Sequence, residues 1–154
     1  MITVRDIMTT KVITLTPDMD ITRATQLLLD NRINGAPVVD ETGHLVGILC
    51  QSDLIAQQKK LPIPTVFTLL DSFITLPTAQ KLEKQVRKIA AIRVADAMTV
   101  RPVTVQTDTR LSTVAALMVD KGFHTLPVVE NNQLMGIIGK EDVLRTLLHP
   151  PVNH

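Results

Sequence analysis

Residues 4–10 read Val-Arg-Asp-Ile-Met-Thr-Thr, and residues 94–100 read Val-Ala-Asp-Ala-Met-Thr-Val. A self-match at a spacing of ninety residues in a chain of 154 is a signal to pursue before any local motif. Working outward from that pair, Ile21, Ala24, Leu27, Leu28 and Asp30 align with Leu111, Val114, Leu117, Met118 and Asp120. Pro37-Val38-Val39 aligns with Pro127-Val128-Val129, and after a one-residue gap near Gly43 the residues Leu45, Gly47, Ile48 and Asp53 pair with Leu134, Gly136, Ile137 and Asp142. Matches in one colinear order point to a duplicated unit.

Each copy reads as β-α-β-β-α. An Asp-x-Met-Thr turn leads into a short alternating stretch, Val12–Leu15 or Val103–Val105, and then into a helix with apolar residues at i, i+3, i+6 and i+7. Asp20 suits the N-cap of the first such helix. Two short apolar strands follow, Pro37–Asp40 and Leu45–Leu49 in one copy, Pro127–Glu130 and Leu134–Ile138 in the other, joined by turns rich in Gly, Asn and Asp. A helix closes each copy, near residues 52–59 and 141–148. A unit of about 55 residues buries too little surface to be comfortable alone. The expected fold is therefore α+β: two repeats, residues 1–60 and 93–149, packed with pseudo-two-fold symmetry around a shared core. The cleft between them is the natural ligand site. Residues 61–92 form a long, partly helical inter-repeat segment, and 150–154 a short tail.

Composition narrows the function. With 45% hydrophobic residues and a net charge of +1, the chain can build a core and carries no global charge signature for nucleic acid or an anionic membrane. Only Phe67, Phe73 and Phe123 are aromatic, which argues against base recognition on stacked rings. The single Cys50 permits no intrachain disulfide and fits a reducing cytoplasm. The four histidines show no metal-ligand spacing, so no metal is expected. No apolar run is long enough to span a bilayer and no signal peptide is evident. There is no Ser-His-Asp-like arrangement, paired-carboxylate signature, P-loop or strand-borne GxGxxG, hence no enzyme and no catalytic residue is expected.

The Asp-x-Met-Thr opening, the x-Pro-Val-Val strand and the Gly-x-x-x-x-x-Asp close, in that order and duplicated, resemble the tandem cystathionine-β-synthase (CBS) domain pair, or Bateman module. The resemblance covers about 110 of the 154 residues. It implies a stand-alone regulatory module without cofactor, commonly a homodimer, that binds an adenosyl ligand such as AMP, ADP, ATP or S-adenosylmethionine between its repeats.

In the family pattern the strand ends Gly-x-x-Thr/Ser-x-x-Asp, the hydroxyl capping the final helix and the Asp meeting the ribose. Asp53 and Asp142 keep the acid, but Cys50 and Gly139 stand where the hydroxyl belongs. Both acids also admit a plain reading, as carboxylates in a first helical turn complementing the macrodipole. The resemblance places Ala36-Pro37 and Leu126-Pro127 on one side of an adenine and Ile13-Thr14 and Val103-Thr104 on the other; as sequence alone these are equally core strands. His124 matches a position that contacts phosphate in nucleotide-sensing relatives, with Asn34 in the first copy; a solvated surface histidine is the alternative. Arg32, Lys121, Arg101 and Lys140 admit two readings, as added charge near the phosphate or as ordinary surface residues. The second repeat looks the better pocket, with Asp142 on ribose, Gly139 and His124 on phosphate, and Val103, Thr104 and Leu126 around the base.

Between the repeats, the cluster from Val66 to Leu76 reads either as cover for its own core or as a dimer contact or lid, and 79–92 as a basic amphipathic helix. Two functions compete: a ligand sensor signalling to an effector protein by a conformational shift, and a dimerisation platform with degenerate pockets.

Overall fold

A computed structural model describes residues 1–60 and 92–148. The apolar cluster, nearly all of the basic helix and the C-terminal tail read from the sequence lie outside the described residues.

The elements, in order, are α1 (Val4–Ile7), α2 (Ile21–Asp30), β1 (Gly35–Val39), β2 (Leu45–Cys50), α3 (Gln51–Lys60), α4 (Val94–Ala97), β3 (Thr99–Val100), α5 (Leu111–Lys121), β4 (Thr125–Glu130), β5 (Gln133–Gly139) and α6 (Lys140–Leu148). Two antiparallel hairpins form the centre. In the first, Gly35 faces Cys50 and Pro37 faces Ile48; in the second, Thr125 faces Gly139 and Pro127 faces Ile137. Both ladders shift register at the same place, between Val38 and Val39 and between Val128 and Val129. The turns differ. Asn131 and Asn132 close the second hairpin with φ of 50° and 63°, the left-handed pair that a two-residue hairpin turn favours. The first uses a longer turn in which the Asp40 carboxylate accepts from the Thr42 and His44 amides, at 2.9 and 3.0 Å.

The alternating stretches are not strands. Each contributes a single parallel bridge residue, Leu15 to Val38 and Val105 to Val128, because only that residue's amide and carbonyl reach the neighbouring hairpin: Leu15 N–H to Pro37 at 3.0 Å and Val39 N–H to Leu15 at 2.9 Å. Asp20 occupies the N-cap of α2 but makes no side-chain cap. Its carboxylate turns instead to an ion pair with Arg93.

The larger correction concerns the opening motif, which folds away from its own copy. The turn predicted there is one helical turn, closed when the Asp6 carboxylate accepts the Thr3 amide at 2.9 Å and Asp96 accepts the Arg93 amide at 2.8 Å. Val4, fully buried, belongs to the core of the second repeat with Val105, Val114, Leu126, Val128 and Ile138. Val94, also fully buried, belongs to the first with Leu15, Ala24, Leu28, Val38 and Leu49. Burial of each valine contributes about 1.5 kcal/mol or more, so each opening segment fastens the opposite repeat. The exchange continues through Met-Thr: β3 pairs with β2, and Thr9 exchanges backbone bonds with Ile137 at 2.8 and 2.9 Å. Here the glycines of the closing signature find their reason. A Cβ on Gly136 would lie 2.7 Å from the Thr9 carbonyl oxygen, and one on Gly47 would lie 2.7 Å from the Met98 sulfur and 2.9 Å from the Thr99 carbonyl oxygen.

Candidate functional site

The site is built where each hairpin runs into its closing helix. Gly139 precedes α6, and the Asp142 carboxylate three residues on accepts its amide at 2.8 Å; Cys50 and Asp53 repeat this at 2.8 Å. Both acids are thus the acidic half of a capping box, whether or not the hydroxyl half is present. Each second oxygen reaches across the repeats. Thr9 of the first opening donates to Asp142 at 3.2 Å, and Thr99 of the second donates to Asp53 at 3.0 Å. Asp142 is 8% exposed and takes a third partner, Arg145, at 2.9 Å.

Between the repeats beside Asp142 lies a cavity of about 280 Å³. Its walls come from both copies: Thr9, Lys11 to Ile13 and Asn31 to Gly35 from the first, Thr125, Ile137, Gly139, Glu141, Asp142 and Arg145 from the second. The cations Lys11, Arg32 and Arg145 line it together with the acids Glu141 and Asp142, and Gly139 leaves the backbone open beside Thr125. A wider depression of about 720 Å³ elsewhere is lined by Asp18, Asp40 and Glu41 without a cation, a setting that repels anions. Among the described residues no three His, Cys, Asp or Glu side chains converge to hold a metal ion.

Of the residues expected at the site, Asp142, Gly139 and Ile13 line this cavity, whereas His124, Val103, Thr104, Leu126 and Pro127 do not. The exchange of opening segments sets this lining: Val12-Ile13 of the first repeat share the cavity with Asp142, and Val103 follows the segment that pairs with β2 and bonds Asp53. His124 is exposed, and its carbonyl accepts the Lys140 amide at 3.0 Å. Leu126, Pro127, Ala36 and Pro37 are buried strand residues, while Thr14, Val103 and Thr104 are exposed. Arg32, which the sequence offered either as added charge near the ligand or as a surface residue, lines the cavity. Lys11, Thr9, Thr125, Glu141 and Arg145 escaped the sequence reading; the one signal available was Thr9, which the repeat places beside the shared Met-Thr.

Cys50 is half-buried at the Asp53 junction, and burial, reinforced by the Asp53 carboxylate, pushes its thiol up to about 11. It stays protonated near neutrality. Its sulfur fills the space across the ladder that Gly35 leaves open: a Cβ on Gly35 would lie 2.9 Å from Sγ. In the second repeat the same ladder pair is reversed, Thr125 opposite Gly139. The hydroxyl absent from position 139 is therefore supplied to the cavity wall by the neighbouring strand.

Comparison with known proteins agrees with this geometry. The family model described as CBS domain matches residues 4–60 and 94–149. The protein MJ1426 of Methanocaldococcus jannaschii is 30% identical over 155 aligned positions, covering 94% of this chain and 90% of that one. Among solved structures, CBSX2 in complex with AMP is 30% identical with a TM-score of 0.70, covering 95% of this chain and 96% of that chain. The full-length CBSX2 of Arabidopsis thaliana is a chloroplastic protein, of which this chain spans 57%. The CBS domain pair of MJ0100, solved with 5-methylthioadenosine and S-adenosyl-L-methionine, is 26% identical with a TM-score of 0.68, at 95% coverage of both chains.

Proposed function

The chain belongs to the CBS-domain family as a tandem pair, and from that premise we propose that it is a regulatory module taking an adenosyl ligand in the cavity beside Asp142. The observation that carries this reading is the cavity itself: it is walled by both repeats, and its buried carboxylate is already bonded to a threonine of the opposite repeat. The AMP bound to CBSX2 and the adenosyl ligands bound to MJ0100 support the ligand class.

In this reading Asp142 accepts the ribose hydroxyls, Gly139 and Thr125 face the ligand's 5′ side, and Ile13 and Val12 give the base an apolar wall. A ligand touching both repeats favours the arrangement in which they meet most closely, and an effector protein that binds one arrangement better reads the change. The module acts without catalysis, as a homodimer, and the protonated lone thiol suits a reducing cytoplasm. No helix of the described residues is long and apolar enough to cross a membrane.

Thermal shift against AMP, ADP, ATP and S-adenosylmethionine, followed by calorimetry, tests the reading. A ligand at 100 times its Kd stabilises the fold by about 2.7 kcal/mol, and Asp142→Ala abolishes that gain. A panel that leaves the melting temperature unmoved argues for the second reading, an interaction platform. That alternative draws on Cys50, an apolar thiol at the capping position of the first repeat.

A further inference from the structure

The two acids that look equivalent in the repeats are not equally free to accept a ligand. An ionised carboxylate offers about four acceptor positions. Asp53 spends two, on the Cys50 amide and the Thr99 hydroxyl. Asp142 spends three, on the Gly139 amide, the Thr9 hydroxyl and the Arg145 guanidinium. A ribose diol presents two donors, so Asp53 can receive both without loss, whereas Asp142 must release one partner first.

The partner it releases is Arg145. Thr9 is held by its backbone ladder to Ile137, and the Gly139 amide is fixed at the helix start. Arg145 has a side chain that is 66% exposed, reaches Asp142 through one nitrogen only and is among the residues that line the cavity. Once released, the guanidinium retains all five donors on the cavity wall, facing Lys11 and Arg32 of the other repeat; among the described residues neither of those has an acidic partner within ion-pair distance. Glu141 and Asp142 are the acids that oppose them there. A neutral adenosyl ligand leaves the displaced cation only Glu141 to turn to, while a phosphorylated one supplies a tetrahedral anion that the guanidinium fork can bind through two nitrogens, replacing the lost pair.

We propose that Arg145 is a charge gate on the Asp142 cleft, held shut by its ion pair with the ribose-binding acid and opened at low cost only by adenosyl ligands that carry an anionic tail. The gate rests on the ligand reading above and adds selectivity to it. The first repeat has Ala56 at the matching position, so the Asp53 side carries no such gate.

Calorimetry with AMP and with adenosine on the full chain, as wild type and as Arg145→Gln, tests the gate. The wild type is expected to prefer AMP. In the variant AMP weakens by roughly tenfold, and adenosine tightens by roughly threefold because its hydroxyls no longer compete for Asp142. Movement in opposite directions is the signature, since a merely structural loss weakens both. Should Arg145→Gln fold poorly, Ala56→Arg carries the test, and its Asp53 side is expected to gain preference for AMP over adenosine. Both affinities falling together, or a ratio that stays put, overturns the gate and leaves the ligand reading standing. Wild-type protein that binds neither AMP nor adenosine overturns the ligand reading, and the gate with it.

Discussion

At the end of its hairpin the first repeat pairs Gly35 with Cys50, and the second pairs Thr125 with Gly139. One side chain fits between these strands, and the two copies have placed it on opposite strands. The same divergence appears at the end of the long helices. The second repeat stops α5 with Gly122 at φ 70°, whereas the first turns at the equivalent point through Arg32 at φ 54°. Three residues beyond the shared acid, the first repeat has Ala56 and the second Arg145. What the copies share fixes the fold: the valine, aspartate, methionine and threonine that cross over, and the glycine that receives them. What they do not share lies around the clefts. Duplication has kept the joint and separated the ligand-facing surfaces.

The sharpest way to break this comparison is at the joint. Gly136→Ala and Gly47→Ala each place a methyl group against the crossing backbone of the opposite repeat, at 2.7 Å and 2.9 Å from a carbonyl oxygen. Both are expected to lose about 2–3 kcal/mol of unfolding free energy, as overpacking a rigid contact does. Denaturant unfolding checks this. If one glycine tolerates alanine within about 0.5 kcal/mol and the other does not, the joint is not the shared element we take it to be.

The acids come next. Without ligand, Asp142→Ala removes a cap and a bond from the opposite repeat at a nearly buried position, with an expected loss of about 2 kcal/mol. Asp53→Ala makes the same deletion at a half-buried site and should cost about 1 kcal/mol. Equal losses would show that the extra partner Arg145 and the deeper burial of Asp142 have no energetic consequence.

Arg32 offers a change of opposite sign. A left-handed arginine is strained by roughly 1 kcal/mol relative to glycine, and strain of this kind collects at functional sites. Arg32→Gly should therefore raise stability by about 0.5–1 kcal/mol while weakening binding of a phosphorylated adenosyl ligand. Gly122→Arg, the reciprocal exchange, should lower stability by a similar amount. Gain of stability with ligand affinity unchanged would reduce Arg32 to a poorly chosen helix stop.

Much of this was legible in the sequence, and the division has a physical basis. The hairpin strands and the long helices followed from periodicity because each face is buried locally: Leu28, Val38, Leu126 and Val128 are in the cores the pattern gave them, whereas the alternating stretches reduce to single bridges at Leu15 and Val105. The exchange was not legible. Val4 satisfies the same apolar requirement in either repeat, and a sequence repeat cannot say which copy a segment packs on. The site inherited that ambiguity. Asp142 and Gly139 were found because they are neighbours along the chain, whereas Lys11, Arg32 and Thr9 meet them only through the crossing. Arg145 was missed for a different reason: one helical turn beyond Asp142, it resembles any surface arginine until the acceptor positions of the carboxylate are counted.

The smallest expected effect concerns Cys50, the residue for which the second repeat has glycine. Burial and the adjacent Asp53 hold its thiol at about 11 against an ordinary value of 9.0. The folded protein therefore binds this proton more tightly than the unfolded chain does. Its contribution to stability is complete below pH 9 and is lost as the pH rises toward 11. Two measurements follow from that sign. Alkylation by iodoacetamide at pH 8 should run about a hundredfold slower in the native protein than in the denatured one, because little thiolate exists to react. Between pH 9 and 11 the wild type should lose stability more steeply than Cys50→Ala, which lacks the titrating group while lysines common to both proteins cancel. Rapid native alkylation would mean that the sulfur is exposed and ionised, that Gly35 does not enclose it, and that the reversed pairing of Gly35 with Cys50 and Thr125 with Gly139 is a coincidence of sequence, not a packing constraint met twice.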